Sequence, residues 1–169
     1  MREVEVVGVR VEMPSNSPIV LLREASGERY LPIWIGAVEA TAIAFAQQGV
    51  VPPRPLTHDL LKELVEATGN AVREIRITEM REGVFYAVLV LDSGVEVSAR
   101  PSDSIALALR TGARIVCAED VLEEAGIPVP DSEREDDDEA GGARPGDEEE
   151  TVEQFREFLD HVTPEDFQG

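Results

Sequence analysis

Arg100 and Asp103 stand three residues apart at a joint between two patterns. Before them Val95, Val97 and Ala99 alternate with polar residues, which is strand period. After them Ile105, Leu107, Ala108 and Leu109 read as a buried helix that Gly112 stops. Pro101 near the first helical position, Ser102 as a possible cap and Asp103 in the first turn are ordinary helix-start chemistry. That explanation leaves Arg100 over. A guanidinium leaving a strand beside a helix start binds an anion. The anion is either a phosphate from outside or a carboxylate of the same chain, with Asp103, Glu39 and Asp59 as candidates for a buried clamp.

Thr57-His58-Asp59-Leu60 carries the second set of chemical groups. Thr57 fits an N-cap, Asp59 suits the positive end of the helix dipole, and Leu56 with Leu61 fits a hydrophobic staple. His58 is the residue this leaves unexplained. It can serve as a general base or a metal ligand, with Asp59 orienting it or acting as a second ligand. Glu39 sits in the first turn of an otherwise apolar helix and satisfies the dipole there. If the helices after Gly36 and Arg100 converge, Glu39 and Asp103 can share a divalent ion, Mg2+ or Mn2+. Arg54, in the loop just before His58, is a second candidate for binding a phosphate. Trp34 is assigned to the core or a subunit interface in preference to a base-stacking platform, because only 5% of the chain is aromatic. The second of the two histidines, His161, lies far along the chain, which disfavours an acid–base pair of histidines. No Gly-rich phosphate loop or Cys/His zinc spacing is present, and Glu96-Val97-Ser98 lacks the lysine that an Asp…Glu-x-Lys arrangement needs.

The elements that must position these groups are legible from periodicity. Strands are expected around Val4 to Val11, with Gly8 marking a bulge, then at Ile19 to Arg23 and Tyr30 to Ile35. A helix follows from Ala37 to Gln48. A stiff Pro52-Pro53-Arg54-Pro55 loop leads to a second helix, His58 to Thr68. The scheme then repeats in outline: strands Val72 to Met80, Val84 to Leu91 and Val95 to Arg100, and the helix after Arg100. A short strand, Ile115 to Cys117, and a short helix, Val121 to Ala125, close the body. The expected fold class is α/β (α+β): a mixed, largely antiparallel sheet from two β-β-β-α-like units packed with helices.

Charge divides the chain. Up to Pro130 there are 12 Lys and Arg against 19 Asp and Glu, a net of −7; from Asp131 onward there are 3 against 16, a net of −13. The body has no basic block of the kind that marks a typical nucleic-acid binder. Three regions follow: a domain at 1–130, an acidic linker at 131–150 and an amphipathic helical segment at 151–169. In the last, Phe155, Phe158 and Leu159 share a face suited to a protein partner. The single Cys117, in an apolar run, reads as a buried structural thiol. No membrane span or signal peptide is read, and a cytoplasmic location is expected. Exposed strand edges make a homodimer the expected assembly.

Three segments together resemble the bifunctional nuclease family. They are Tyr30-Leu31-Pro32-Ile33-Trp34-Ile35-Gly36 running on to Glu39-Ala40, then Pro52-Pro53-Arg54-Pro55-Leu56-Thr57-His58-Asp59-Leu60, and Ala99-Arg100-Pro101-Ser102-Asp103-Ser104-Ile105-Ala106. The resemblance covers residues 3 to 130. It implies an α/β fold with a mixed sheet and ribonuclease and deoxyribonuclease activity, a label that rests chiefly on plant members. The tail departs from the family pattern. The reading that results is a metal-assisted enzyme that cleaves phosphodiester bonds of RNA or DNA, with Glu39, His58, Asp59 and Asp103 catalytic and Arg100 and Arg54 on the phosphate. The alternative is a non-catalytic regulatory or scaffold protein that acts through protein contacts and its C-terminal helix.

Overall fold

Alternating apolar residues build most of this molecule. In a computed structural model, which describes residues 1–129, the chain runs β1 (Arg2–Glu12), β2 (Ser17–Glu24), β3 (Arg29–Trp34), α1 (Ala37–Gln47), α2 (Thr57–Ala67), β4 (Val72–Arg81), β5 (Val84–Leu91), β6 (Glu96–Ala99), α3 (Pro101–Thr111), β7 (Arg114–Cys117), α4 (Glu119–Ala125) and β8 (Ile127–Pro128). These residues fall within one compact unit, Met1–Val129. The expected linker at 131–150 and the segment at 151–169, with Phe155, Phe158 and Leu159, lie outside the described residues.

All eight strands join one sheet in the order β6-β5-β4-β7-β1-β2-β3-β8. Every neighbouring pair is antiparallel except β4 and β7. Two meanders, β1-β2-β3 and β4-β5-β6, thus lie on either side of β7, and each is followed by a helix. The fold class agrees with the sequence reading. The register of β1 on β2 shifts between Val6 and Gly8, at the expected bulge. Alternation puts Val20, Leu22, Leu31, Ile33, Ile75 and Ile77 into the core, and Ile105 and Leu107 of α3 are also fully buried. Each such Ile or Leu contributes about 1.5–3 kcal/mol by leaving water. Cys117 is buried as expected, and burial pushes its thiol up to about 12.

Local details differ from expectation. The N-cap of α2 is Leu56, not Thr57, and it has no side-chain acceptor; Asp59 Oδ2 instead accepts the Leu56 backbone N–H at 2.9 Å. The N-cap of α3 is Arg100, so Ser102 is a buried second-position residue and not a cap. Trp34 is not core, being 55% exposed. The sheet's outer edges are β6 and β8, only four and two residues long. Strand β8 pairs with Arg29 and Tyr30 alone and β6 with residues 87–90, so residues 31–34 of β3 and 84–86 of β5 have no strand beside them on the outer side among the described residues. No helix among the described residues is long and apolar enough to cross a membrane.

Candidate functional site

The site forms where α1, α2 and α3 meet. Helix α3 is the most buried of the three, with seven buried residues, and both α1 and α2 pack on it. Its first residues follow directly from β6, so Arg100 sits at the junction with extended backbone, φ −73° and ψ 144°. Pro101 takes the first helical position, where its missing N–H costs nothing. Helix α1 begins beside it, with Gly36 as N-cap and Glu39 in the first turn. A Cβ at Gly36 would lie 2.3 Å from Glu39 Oε2, so the glycine leaves the space into which the Glu39 carboxylate folds.

Four side chains are joined in a continuous chain. Arg100 Nη2 donates to Glu39 Oε1 at 2.7 Å, and Arg100 Nε donates to Asp103 Oδ2 at 2.7 Å. The other oxygen of that carboxylate, Asp103 Oδ1, lies 3.1 Å from His58 Nε2. Burial pushes the Asp103 carboxyl up, but hydrogen bonds from Arg100 and then His58 outweigh it and hold the group below the usual carboxylate range. Asp103 is therefore ionised and accepts only, so the proton of the shared bond sits on Nε2. In neutral His58 the lone pair is then on Nδ1. His58 is 8% exposed, and among the described residues no buried side-chain nitrogen or oxygen lacks a partner; Nδ1 makes no hydrogen bond within them, so it is not sealed from the surface by them. The guanidinium is 66% exposed while Glu39 is largely covered.

Asp59 belongs to a second, adjacent pair. Its Oδ1 accepts from Arg110 Nε at 2.6 Å, while Arg110 Nη1 donates to the carbonyls of Ala42 and Ala106. Burial pushes the Asp59 carboxyl up, and the Arg110 bond followed by the Leu56 N–H more than reverses it. Asp59 is thus engaged on Arg110, and the carboxylate hydrogen-bonded to His58 is Asp103. The sequence reading did not single out Arg110. Its signal was helical spacing: Arg110 follows Asp103 by seven residues, two turns along the same face of α3. Arg54 is exposed in the loop before α2 and makes no ion pair among the described residues.

Two clefts flank this chain. One, about 450 Å³, is lined by Trp34, Gly36, Val84, Phe85, Arg100 and Ser102 among others. The other, about 470 Å³, includes Asp59, Lys62 and Arg110. Glu39, His58 and Asp103 line neither; Arg100 is their outlet to the first cleft. Glu39 Oε1 and Asp103 Oδ2 are both bonded to the Arg100 guanidinium, so a Mg2+ or Mn2+ between the two carboxylates would have to displace Arg100. Among the described residues no three His, Cys, Asp or Glu side chains gather as a metal-holding group.

Comparison with known proteins places these residues in a family context. The family model for the bifunctional nuclease domain matches residues 20–130, which include Glu39, Arg54, His58, Asp59, Arg100 and Asp103. An uncharacterized protein of Mycobacterium tuberculosis is 57% identical over 169 residues, 100% of this chain and 99% of that protein. Bifunctional nuclease 1 of Oryza sativa subsp. indica is 32% identical over 111 residues, 62% of this chain and 33% of the plant protein. Bifunctional nuclease 1 of Arabidopsis thaliana is 30% identical over 107 residues, 58% of this chain and 33% of its own length.

Proposed function

The chain belongs to the bifunctional nuclease domain family, and from that premise we propose that it hydrolyses phosphodiester bonds of RNA or DNA at the Glu39–Arg100–Asp103–His58 chain. The observation that carries the reading is the imidazole held at Nε2 by an ionised carboxylate, which leaves Nδ1 as a base. Asp103 uses one oxygen on His58 Nε2 and the other on Arg100, so the imidazole and the guanidinium are a single carboxylate apart. A substrate phosphate exchanges with a carboxylate on the exposed guanidinium, which offers it parallel N–H donors. His58 Nδ1 then takes the proton of an attacking water, and the P–O bond to the leaving oxygen breaks. That oxygen takes a proton from solvent, and Arg100 balances charge on the non-bridging oxygens. Mg2+ or Mn2+ at Glu39 and Asp103 would require Arg100 to leave them, so no step is assigned to a metal.

Purified protein is expected to degrade single-stranded RNA or DNA, and His58→Ala to lower kcat by about 10²–10⁴. Assays in EDTA and with added Mg2+ or Mn2+ separate the Arg100 and metal readings. Activity equal in wild type and His58→Ala would remove the assignment. The non-catalytic reading has one observation in its favour: both bonded nitrogens of Arg100 are already satisfied by carboxylates of its own chain, as in a structural clamp. It predicts no cleavage by wild type under any metal condition.

A further inference from the structure

Trp34 has an unusual position for a large aromatic. It ends β3, is 55% exposed and forms part of the wall of the 450 Å³ cleft. Its Nε1–H is bound to Glu12 Oε2 at 2.9 Å, so the polar edge of the ring is engaged on β1. An aromatic ring tethered in this way offers a preset stacking surface, with little side-chain freedom left to lose. Val84 and Phe85 from the start of β5 line the same cleft, and so does Arg100. Gly36 and Gly83 keep two of the lining positions free of side chains. The cleft thus combines an exposed aromatic ring, further apolar side chains and one exposed guanidinium, all within the compact unit.

We propose that this cleft is a nucleotide subsite, with an unpaired base stacked on Trp34 and its phosphate on Arg100. The choice of ligand rests on the nuclease reading above; the geometry adds the base. An aromatic platform accepts any base, because every base has a π-face, but the base must be out of its duplex. The subsite is therefore selective for single strands and tolerant of sequence. Arg100 already serves Glu39 and Asp103, so the phosphate competes with these carboxylates, and stacking must supply much of the affinity.

The chain contains a single tryptophan and two tyrosines, so emission excited beyond the tyrosine absorption band reports on Trp34 alone. Full-length protein in EDTA is titrated with an eight-residue oligothymidylate and with a duplex of equal length. The single strand should quench the emission and bind about tenfold or more tighter than the duplex. Anisotropy of a labelled oligothymidylate should show about tenfold weaker binding to Trp34→Leu and near-normal binding to Trp34→Phe. Unchanged emission on binding, equal affinity of Trp34→Leu and wild type, or no binding at all would overturn the subsite. The emission test needs no variant, so a Trp34→Leu protein that fails to fold leaves it intact. Quenching without any strand cleavage would sink the nuclease reading alone. Cleavage with an unchanged KM in Trp34→Leu would sink the subsite alone.

Discussion

At the scale of single residues, the question left by the sequence was which anion Arg100 faces. It faces two, Glu39 and Asp103, and one of these also holds His58. Asp103 therefore couples the guanidinium to the imidazole. Asp103→Asn should cost about 1–2 kcal/mol at neutral pH, a charge-assisted bond discounted for the exposure of Arg100. The pH dependence has a definite sign. Because the folded carboxyl is depressed, its stabilisation is present above the unfolded value near 3.9 and is lost as pH falls through the folded one. Urea midpoints of wild type and Asp103→Asn should thus converge below about pH 4. Curves that stay parallel through that range would show that Asp103 stabilises nothing by its charge. Part of this site was legible: Arg100 and Asp103 are three apart on a helix start. The partners Glu39 and His58 lie 61 and 45 residues away from them, and only the packing of α1 and α2 on α3 brings them in.

At the scale of elements, Arg110 links all three helices: it reaches Asp59 of α2, Ala42 of α1 and Ala106 of α3. Its side chain is only 9% exposed. Arg110→Met should destabilise by about 3–5 kcal/mol, since it strands a partly buried carboxylate and removes donors from two carbonyls. Arg110→Lys should recover little of this, because one ammonium cannot copy the fork. A thermal midpoint for Arg110→Met equal to wild type would reject the bracing role. A second device is Gly36. Its replacement by Ala puts Cβ on Glu39 Oε2 and should push that carboxylate off Arg100. Gly36→Ala and Glu39→Gln should each cost about 0.5–1 kcal/mol, and the double variant no more than the worse single. Additive losses in urea titrations would mean that Gly36 acts independently of Glu39. The long elements were readable because their apolar period runs unbroken. Helix α2 starts at an N-cap leucine with no capping side chain, so only Asp59, which bonds back to the Leu56 N–H, marks its first turn. Strand β8 is two residues including Pro128, too short to show a period.

At the scale of the whole molecule, charge is the term that most affects a polyanionic substrate. Residues up to Pro130 carry −7 and those beyond it −13, so a nucleic acid meets a chain with a net of −20. Repulsion of this kind acts on encounter and is screened by salt, whereas a contact made by specific side chains is screened much less. The described residues lie within one compact unit that ends at Val129 and contains Glu39, His58, Arg100 and Asp103, so a fragment of residues 1–130 retains the proposed site. Once circular dichroism shows that the fragment is folded, its kcat on a single-stranded oligonucleotide should match the full chain and its KM should be lower. The gap in KM should close as ionic strength rises from about 0.01 to 0.1 M, where the screening length falls from roughly 30 to 10 Å. A gap that persists across that range would mean that residues 131–169 act by contact and not by charge, with Phe155, Phe158 and Leu159 the first side chains to replace. A fall in kcat on truncation would instead mean that residues beyond 130 take part in the reaction itself.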